Sequence, residues 1–419
     1  LQGATLLFTP HNNEINANAA DDHRRWVRNC HVGLACQLKM VVARSNNVKS
    51  DRAGGIGYGD SFILSPQGTP LAEAKLFKTE LITATVTPEM FRSPYVWANA
   101  AETPAWLRSQ LGQMLTEFRK PTTEDELKFW METMSVDHRF TPEEISAAAG
   151  LTIDEIGKEQ KRLGLVARIG MPPTARAAGE PLRVVPYPGG RHPRIGFLEG
   201  AVMPQRETKV SVFTPWTDDD DQASYVVVDV PEAIFSNLGL TYLAHTHIPT
   251  IWDKQGVTLP RLEWIRRAHG VLESERTLPN GIAFGARVTP TPQAVRMELW
   301  LRNGTKETLT GLRVQNCVML GAARGFSSQT NANKVFQPPY AAARSDEGVG
   351  PRRRWVITAW SPIQRCWGNE RCPCLHADPQ FPDCPPGATV RLRGWLSFFE
   401  GDEIQSELRR IDQTGWKDE

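Results

Sequence analysis

Residues 295–302 read Val-Arg-Met-Glu-Leu-Trp-Leu-Arg, so that Val295, Met297, Leu299 and Leu301 alternate with Arg296, Glu298, Trp300 and Arg302. Successive side chains of a strand point to opposite faces, and this period of two demands a half-buried strand with one face on a core. Asn303-Gly304 follows at once, a dipeptide suited to a hairpin turn, and Leu312, Val314 and Val318 furnish a returning strand. Residues 390–399 read as a further strand. Residues 194–419 are therefore expected to form a large antiparallel β-sandwich.

The rest of the chain has a different texture. Residues 1–92 alternate strand-like and helix-like segments, the signature of a partial α/β domain. Residues 4–10 read as a buried strand. Residues 21–38 read as a helix, with Trp26, Val27, Cys30, Leu34 and Leu38 near one face. Residues 40–43 and 61–64 read as strands, and 71–74 and 81–86 complete a hairpin after the Pro66-Gln67-Gly68-Thr69 turn. Residues 93–165 are expected to be a small helical bundle, with helices over 106–119 and 124–133. Thr141-Pro142-Glu143-Glu144 opens a third helix with a capping box, Gly150 ends it, and Thr152-Ile153-Asp154-Glu155 opens a fourth. The last two have the cadence of a helix-turn-helix. Residues 166–193 are Pro-, Gly- and Arg-rich and read as a linker. The whole is a multidomain chain.

Several function classes are disfavoured by composition. The 419 residues hold 48 basic and 47 acidic side chains, a net charge of +1. That balance offers no field to attract nucleic acid or an anionic membrane. The second helix of the helix-turn-helix look-alike balances Asp154, Glu155 and Glu159 against Lys158, Lys161 and Arg162, whereas a DNA-reading helix is basic. No apolar run approaches the roughly 20 residues of a membrane span. The chain opens at Leu1, almost inside a strand, which reads as an incomplete sequence with no signal peptide, and cytoplasmic residence is expected.

Three stretches of the first region resemble the C-terminal half of a carbon–nitrogen hydrolase of the nitrilase superfamily. Gly3-Ala4-Thr5-Leu6-Leu7-Phe8-Thr9-Pro10 is similar to the strand that follows the nucleophile elbow. Residues 28–47 resemble the next helix and strand, which tends to end in an Asn. Gly59-Asp60-Ser61-Phe62-Ile63-Leu64-Ser65-Pro66-Gln67-Gly68 resembles the hairpin of pattern Gly-x-Ser-x-Ile-x-x-Pro-x-Gly. The resemblance implies a cofactor-free amidase or nitrilase acting on a small amide or nitrile. A Cys attacks, a Glu acts as general base and a Lys stabilises the developing charge. All three would precede Leu1, so none is carried onto this sequence, and the fragment alone is expected to be inactive as an amidase. Cys30 and Cys36 fall in the later helix and read as buried small hydrophobes. The loop His11-Asn12-Asn13-Glu14 corresponds to one near the pocket mouth, making His11, Asn12 and Asn13 candidates for substrate contact against a plain solvated loop. Asn46 is a further candidate, and Asp60 reads as a turn residue. Domains of this family commonly pair, so a homo-oligomer is expected.

Two clusters mark the β region. In His245-Thr246-His247-Ile248-Pro249-Thr250-Ile251-Trp252-Asp253 the two histidines sit at i and i+2, on one face if the segment is a strand. His245, His247 and Asp253 are candidate catalytic residues, and Trp252 a candidate sugar-stacking platform. The strand texture weakly resembles the sugar-mutarotase-like supersandwich, which implies carbohydrate handling. This leaves an alternative reading of the chain as a carbohydrate- or partner-binding β-sandwich on a nitrilase-like scaffold. The second cluster gathers Cys366, Cys372, Cys374, His376 and Cys384. Zinc takes Cys and His in a tetrahedron, so these are candidate ligands. A disulfide, for example Cys366 with Cys384, and free buried thiols remain open.

Overall fold

The computed structural model describes residues 5–49, 55–91, 118–171, 176–189, 206–216, 223–244, 248–346, 352–370 and 372–418. The chain divides into two compact units, Leu1–Ser109 and Gln110–Glu419. The architecture is multidomain: a small α/β unit, then a unit dominated by antiparallel sheets with a helix-turn-helix on one side.

The first unit runs β1 (Leu6–His11), β2 (Glu14–Asn16), α1 (Ala20–Leu38), β3 (Val41–Asn46), β4 (Gly55–Gly57), β5 (Phe62–Leu64) and β6 (Pro70–Glu73). β1 and β3 are parallel, from Leu6 opposite Val41 to His11 opposite Asn46, as a crossover through α1 requires. β5 and β6 continue the sheet antiparallel, joined by a turn in which Gly68 lies at φ +76°. Asp21 and Asp22 sit in the first turn of α1, where carboxylates favour the helix dipole, and Lys39 ends the helix in the left-handed region.

Three expectations for this unit change. The helix buries the row Val27, His31 and Ala35 toward Val42, Phe62 and Leu64. The adjacent row of Trp26, Cys30 and Leu34 faces outward, because one 3.6-period stripe is all a single sheet face can cover. Residues 81–86 form no strand, and Leu81 is exposed. β1 is a sheet edge among the described residues rather than a buried strand, with Leu6 and Phe8 exposed.

The second unit begins with α2 (Glu124–Glu132), α3 (Pro142–Ala149) and α4 (Ile153–Arg162). Thr141 and Thr152 each close a capping box with the Glu three residues on, and Gly150 ends α3 at φ +66°. The helix expected over 106–119 lies outside the described residues up to position 117. The strands are β7 (Val184–Pro186), β8 (Lys209–Phe213), β9 (Tyr225–Ser236) and β10 (Gly239–Leu243), then, after the short α5 (Ile251–Lys254), β11 (Ile265–Arg266), β12 (Leu272–Thr277), β13 (Ala283–Pro290), β14 (Val295–Arg302) and β15 (Val314–Met319). They continue as β16 (Lys334–Gln337), β17 (Tyr340–Arg344), β18 (Arg354–Ser361), β19 (Ile363–Trp367), β20 (Cys374–Pro379) and β21 (Thr389–Glu400), before α6 (Ile404–Asp412).

A seven-stranded sheet runs β19-β20-β15-β9-β8-β7, with β10 beside β9, and an eight-stranded sheet runs β11-β12-β13-β14-β21-β18-β17-β16. Their facing sides enclose the main core, to which Val226, Val228, Val318, Leu375 and Ala377 contribute from one sheet and Val295, Met297, Leu299 and Leu301 from the other. The alternation over 295–302 is realised as read. Its continuation is not: β14 pairs with β13 and β21, whereas β15 pairs with β9 and β20 in the other sheet. Asn303-Gly304 is a crossing point between sheets. Buried Asn303 donates to the carbonyls of Glu307 and Cys384, and a Cβ at Gly304 would lie 2.1 Å from the Gly281 carbonyl oxygen. The glycine permits that close backbone approach.

A second core joins Trp130, Met131, Met134, Ile145, Ala148 and Ile156 of the helical segment to Tyr225, Val227, Cys317 and Met319 on the outer face of the seven-stranded sheet. Residues 124–165 thus share a core with the sandwich, and β7, inside the stretch read as a linker, is a strand of that sheet. α6 covers the outer face of the other sheet through Ile404, Leu408 and Ile411. On α4, Lys158 pairs with Asp154, and Arg162 with Glu124 and Glu159. Among the described residues no helix is long and apolar enough to cross a membrane.

Candidate functional sites

In the first unit, His11 closes β1 opposite Asn46, the last residue of its parallel partner β3, and Asn12 and Asn13 follow at the carboxyl end. Open α/β sheets bind ligands at this edge, outside the carboxyl ends of the strands. The Asn46 side chain accepts from the Asn13 backbone N–H at 2.9 Å and donates to the Gly59 carbonyl at 2.8 Å, tying the loop to the hairpin. Asn13 Nδ2 donates to Tyr58 Oη at 3.4 Å, and Tyr58 Oη meets His23 Nδ1 at 3.0 Å. Asn12 Oδ1 accepts from Asn47 Nδ2 at 2.5 Å. Because the Val27 carbonyl can only accept, His31 Nδ1 carries the hydrogen donated to it, and His31 Nε2 meets His11 Nε2 at 3.2 Å. Burial, Arg44 and His31 lower the pKa of His11, which favours its neutral form. Asp60 is a turn residue, at φ +61°, but it also pairs with Arg28 at 2.9 Å. These side chains are tied to one another by hydrogen bonds at the carboxyl edge of the parallel pair, beside the Arg28–Asp60 ion pair.

In the second unit, His245 and His247 lie outside the described residues. Trp252 is buried in the sandwich core and donates from Nε1 to the Thr241 carbonyl at 2.8 Å, so it offers no sugar platform. Asp253 closes the capping box of α5, accepting from the Thr250 backbone N–H at 2.8 Å and its hydroxyl at 2.7 Å. Both are structural where an exposed Trp and a free carboxylate were expected. Trp264, Trp355, Trp360 and Trp395 are buried as well.

The thiol cluster is divided between the two faces of one sheet. Along β20, Cys374, His376 and Asp378 point to the outer face, while Leu375 and Ala377 enter the sandwich core. Cys366 stands opposite Ala377 in the register and packs against the sandwich core with it. Burial, with Asp378 adding to it, pushes its thiol up to about 12, so it stays protonated. Cys384 also belongs to the sandwich core, its Sγ 3.4 Å from the Ala388 carbonyl oxygen. All seven cysteines are free thiols, so no Cys366–Cys384 bridge forms, and neither residue joins the cluster.

Cys317 takes their place. It lies on β15 directly opposite His376, and the donor atoms of Cys317, Cys374 and His376 fall within 4.8 Å of one another. Cys374 Sγ is 3.4 Å from His376 Nε2. Hydrogen bonds from Cys317 and from Cys372, just before β20, hold the Cys374 thiol far below its ordinary value. Burial opposes charging of His376, but Asp378, Cys374 and Glu232 outweigh it and raise the imidazole to about 10.

The surroundings hold this set in place. His376 stacks on Trp367 at 4.0 Å, and its Nδ1 lies 3.8 Å from Asp378 and 3.9 Å from Glu232. Asp378 is anchored by Arg365 Nε at 2.9 Å and Trp367 Nε1 at 2.6 Å, and Glu232 by Gln315 Nε2 at 2.9 Å. A single register row crosses the sheet as Lys209, Asp229, Cys317, His376 and Trp367, with Lys209 and Asp229 paired at 2.9 Å. Three cysteines and a histidine can hold a tetrahedral metal ion. Cys374, His376 and Asp378 also have the residue types of a nucleophilic triad, but all three are buried and present no face to a substrate.

No known protein-family model matches the chain, and no curated protein does. Among solved structures, it is similar to a "Putative kojibiose phosphorylase from human microbiome" at 8% identity and a TM-score of 0.30, over 59% of this chain and 36% of that one. It is similar to the Slr1438 protein from Synechocystis sp. PCC 6803 at 7% identity and a TM-score of 0.27, over 48% of this chain and 98% of that one. The chain thus spans about a third of the phosphorylase.

Proposed function

We propose that the first unit is the substrate-facing C-terminal half of a carbon–nitrogen hydrolase domain of the nitrilase type, in a cytoplasmic enzyme that carries the β unit as an accessory domain. The observation that carries this reading is the placement of Asn13, His23, Asn46 and Tyr58 at the carboxyl edge of the parallel β1–β3 pair. Those groups donate to an amide carbonyl or a nitrile nitrogen and accept from an amide N–H, while the attacking Cys, the Glu base and the Lys come from chain ahead of residue 1.

A second feature supports it. α1 covers one face of the sheet, while the register row Phe8, Ala43, Ile63 and Ala72 crosses the opposite face. That row is apolar, and its edge residue Phe8 is 71% exposed. A sandwich with a helix layer outside each of two facing sheets would bury such a row against the second sheet.

The test has two arms. In the full natural polypeptide, Asn13→Ala should raise KM for a small amide about tenfold, the equivalent of one hydrogen bond. The chain of 419 residues alone should not hydrolyse amides. Hydrolysis by that chain, abolished by Cys30→Ser, would contradict the reading, as would a natural polypeptide without Glu, Lys and Cys in that order ahead of residue 1.

A further inference from the structure

We propose that Cys317, Cys372, Cys374 and His376 bind one zinc ion, and that this closed centre fastens β15 and β20 to the loop before β20 beneath the helical layer. The proposal is independent of the hydrolase reading.

Four observations lead to it. First, the three donor atoms of Cys317, Cys374 and His376 lie within 4.8 Å of one another, and Cys374 also hydrogen-bonds Cys372. Tetrahedral zinc with bonds of about 2.0–2.3 Å spaces its ligand atoms by less than 4 Å, so these three donors need only draw together, and the Cys372 thiol, outside that set of three, turns in from the loop before β20 as the fourth. Second, all four residues are at most 3% exposed. A catalytic zinc keeps one position open to water and substrate, whereas a structural one is closed by four protein ligands. Third, the histidine is oriented as a ligand. Its Nε2 points toward the thiols, while Nδ1 faces the carboxylates of Asp378 and Glu232. Such outer carboxylates fix the ring and raise its basicity as a ligand.

Fourth, charge is balanced locally. Zinc with three thiolates and a neutral imidazole carries one net negative charge. The half-buried Lys334 stands where the Cys372 and Cys374 thiols act on it electrostatically, and Arg365 partners Asp378. Thiolate-rich donors select zinc among abundant divalent ions and disfavour magnesium and calcium. Binding releases three protons from the ligand set to solvent and changes no oxidation state.

The experiment uses the whole chain, purified without chelator and reconstituted with zinc under reducing conditions. Metal analysis should find about one zinc per chain. Zinc should be retained in Cys366→Ser and Cys384→Ser and fall at least tenfold in Cys317→Ser and Cys374→Ser. The cobalt(II)-loaded wild-type chain should show the intense visible bands of a tetrahedral thiolate site, a readout that holds even if a cysteine variant fails to fold. The proposal is overturned by a wild-type chain that takes up neither ion. It is equally overturned by a Cys317–Cys374 or Cys372–Cys374 disulfide in the mass map of the reduced preparation, or by zinc loss in Cys366→Ser as severe as in Cys317→Ser.

Discussion

Cys317 on β15 and His376 on β20 face each other directly across two antiparallel strands, and Cys374 lies two residues along β20 on the same buried face. A metal held there cross-links strands that are distant in sequence, so it acts on the whole unit. Competition with a strong zinc chelator should lower the melting temperature of the zinc-loaded chain by about 5–10 °C, the scale of a few kcal/mol of linked binding energy. Differential scanning calorimetry with and without chelator reads this. An unchanged transition would show that the thiols contribute no metal linkage.

Replacing Trp252 should damage the fold without selecting against a ligand. Its ring fills the sandwich core and its Nε1 satisfies the Thr241 carbonyl. Trp252→Ala should cost about 3–5 kcal/mol in urea unfolding. A stably folded Trp252→Ala chain that had lost only glycan binding would restore the sugar-platform reading.

At the end of α3, Gly150→Ala should cost about 2 kcal/mol or more. The residue sits at φ +66°, and its added Cβ would fall 2.2 Å from the Phe118 ring. Strain and clash act together there. By comparison, Thr152→Ala removes only a cap and should cost about 1 kcal/mol. Denaturant midpoints of the two variants should keep that order.

The C-terminal helix carries a pH dependence. Asp412 accepts from Tyr340 Oη at 2.6 Å and from Lys417 Nζ at 2.7 Å. Burial would raise its carboxyl pKa, but Lys417 and Tyr340 outweigh burial and hold it below the ordinary value. A carboxyl depressed in the folded state stabilises above its unfolded pKa of about 4, and that contribution disappears as pH falls through the folded value. Asp412→Asn should therefore lower the melting temperature slightly at pH 7, with the difference from wild type vanishing in acid. A difference that grows as pH falls would contradict this assignment.

What could be read from the chain alone depended on how local the determining interaction is. The capping boxes at Thr141 and Thr152 and the Gly150 stop each depend on four or five consecutive residues, and they form as read. So does the alternation of β14. The sheet switch after Asn303 was hidden because the contacts that hold this turn are remote in sequence, Gly304 against Gly281 and Asn303 on the Cys384 carbonyl. The row of α1 that is buried could not be chosen from periodicity, since Trp26-Cys30-Leu34 and Val27-His31-Ala35 lie side by side on the helix. The thiol centre was half legible. Cys372, Cys374 and His376 cluster in sequence, but Cys317 joins them only through sheet register. Its one local signal was the polar Gln315-Asn316 step inside an otherwise apolar strand. Cys366 and Cys384 were near in sequence yet belong to the opposite face of the sheet, a parity that only the strand boundaries settle.

X-ray absorption at the zinc edge tests the central claim most directly. The zinc-loaded chain should show a first shell of three sulfurs at about 2.3 Å and one imidazole nitrogen at about 2.0–2.1 Å. A shell of oxygen and nitrogen alone, or one with a single sulfur, would mean that Cys317, Cys372 and Cys374 do not close around the metal.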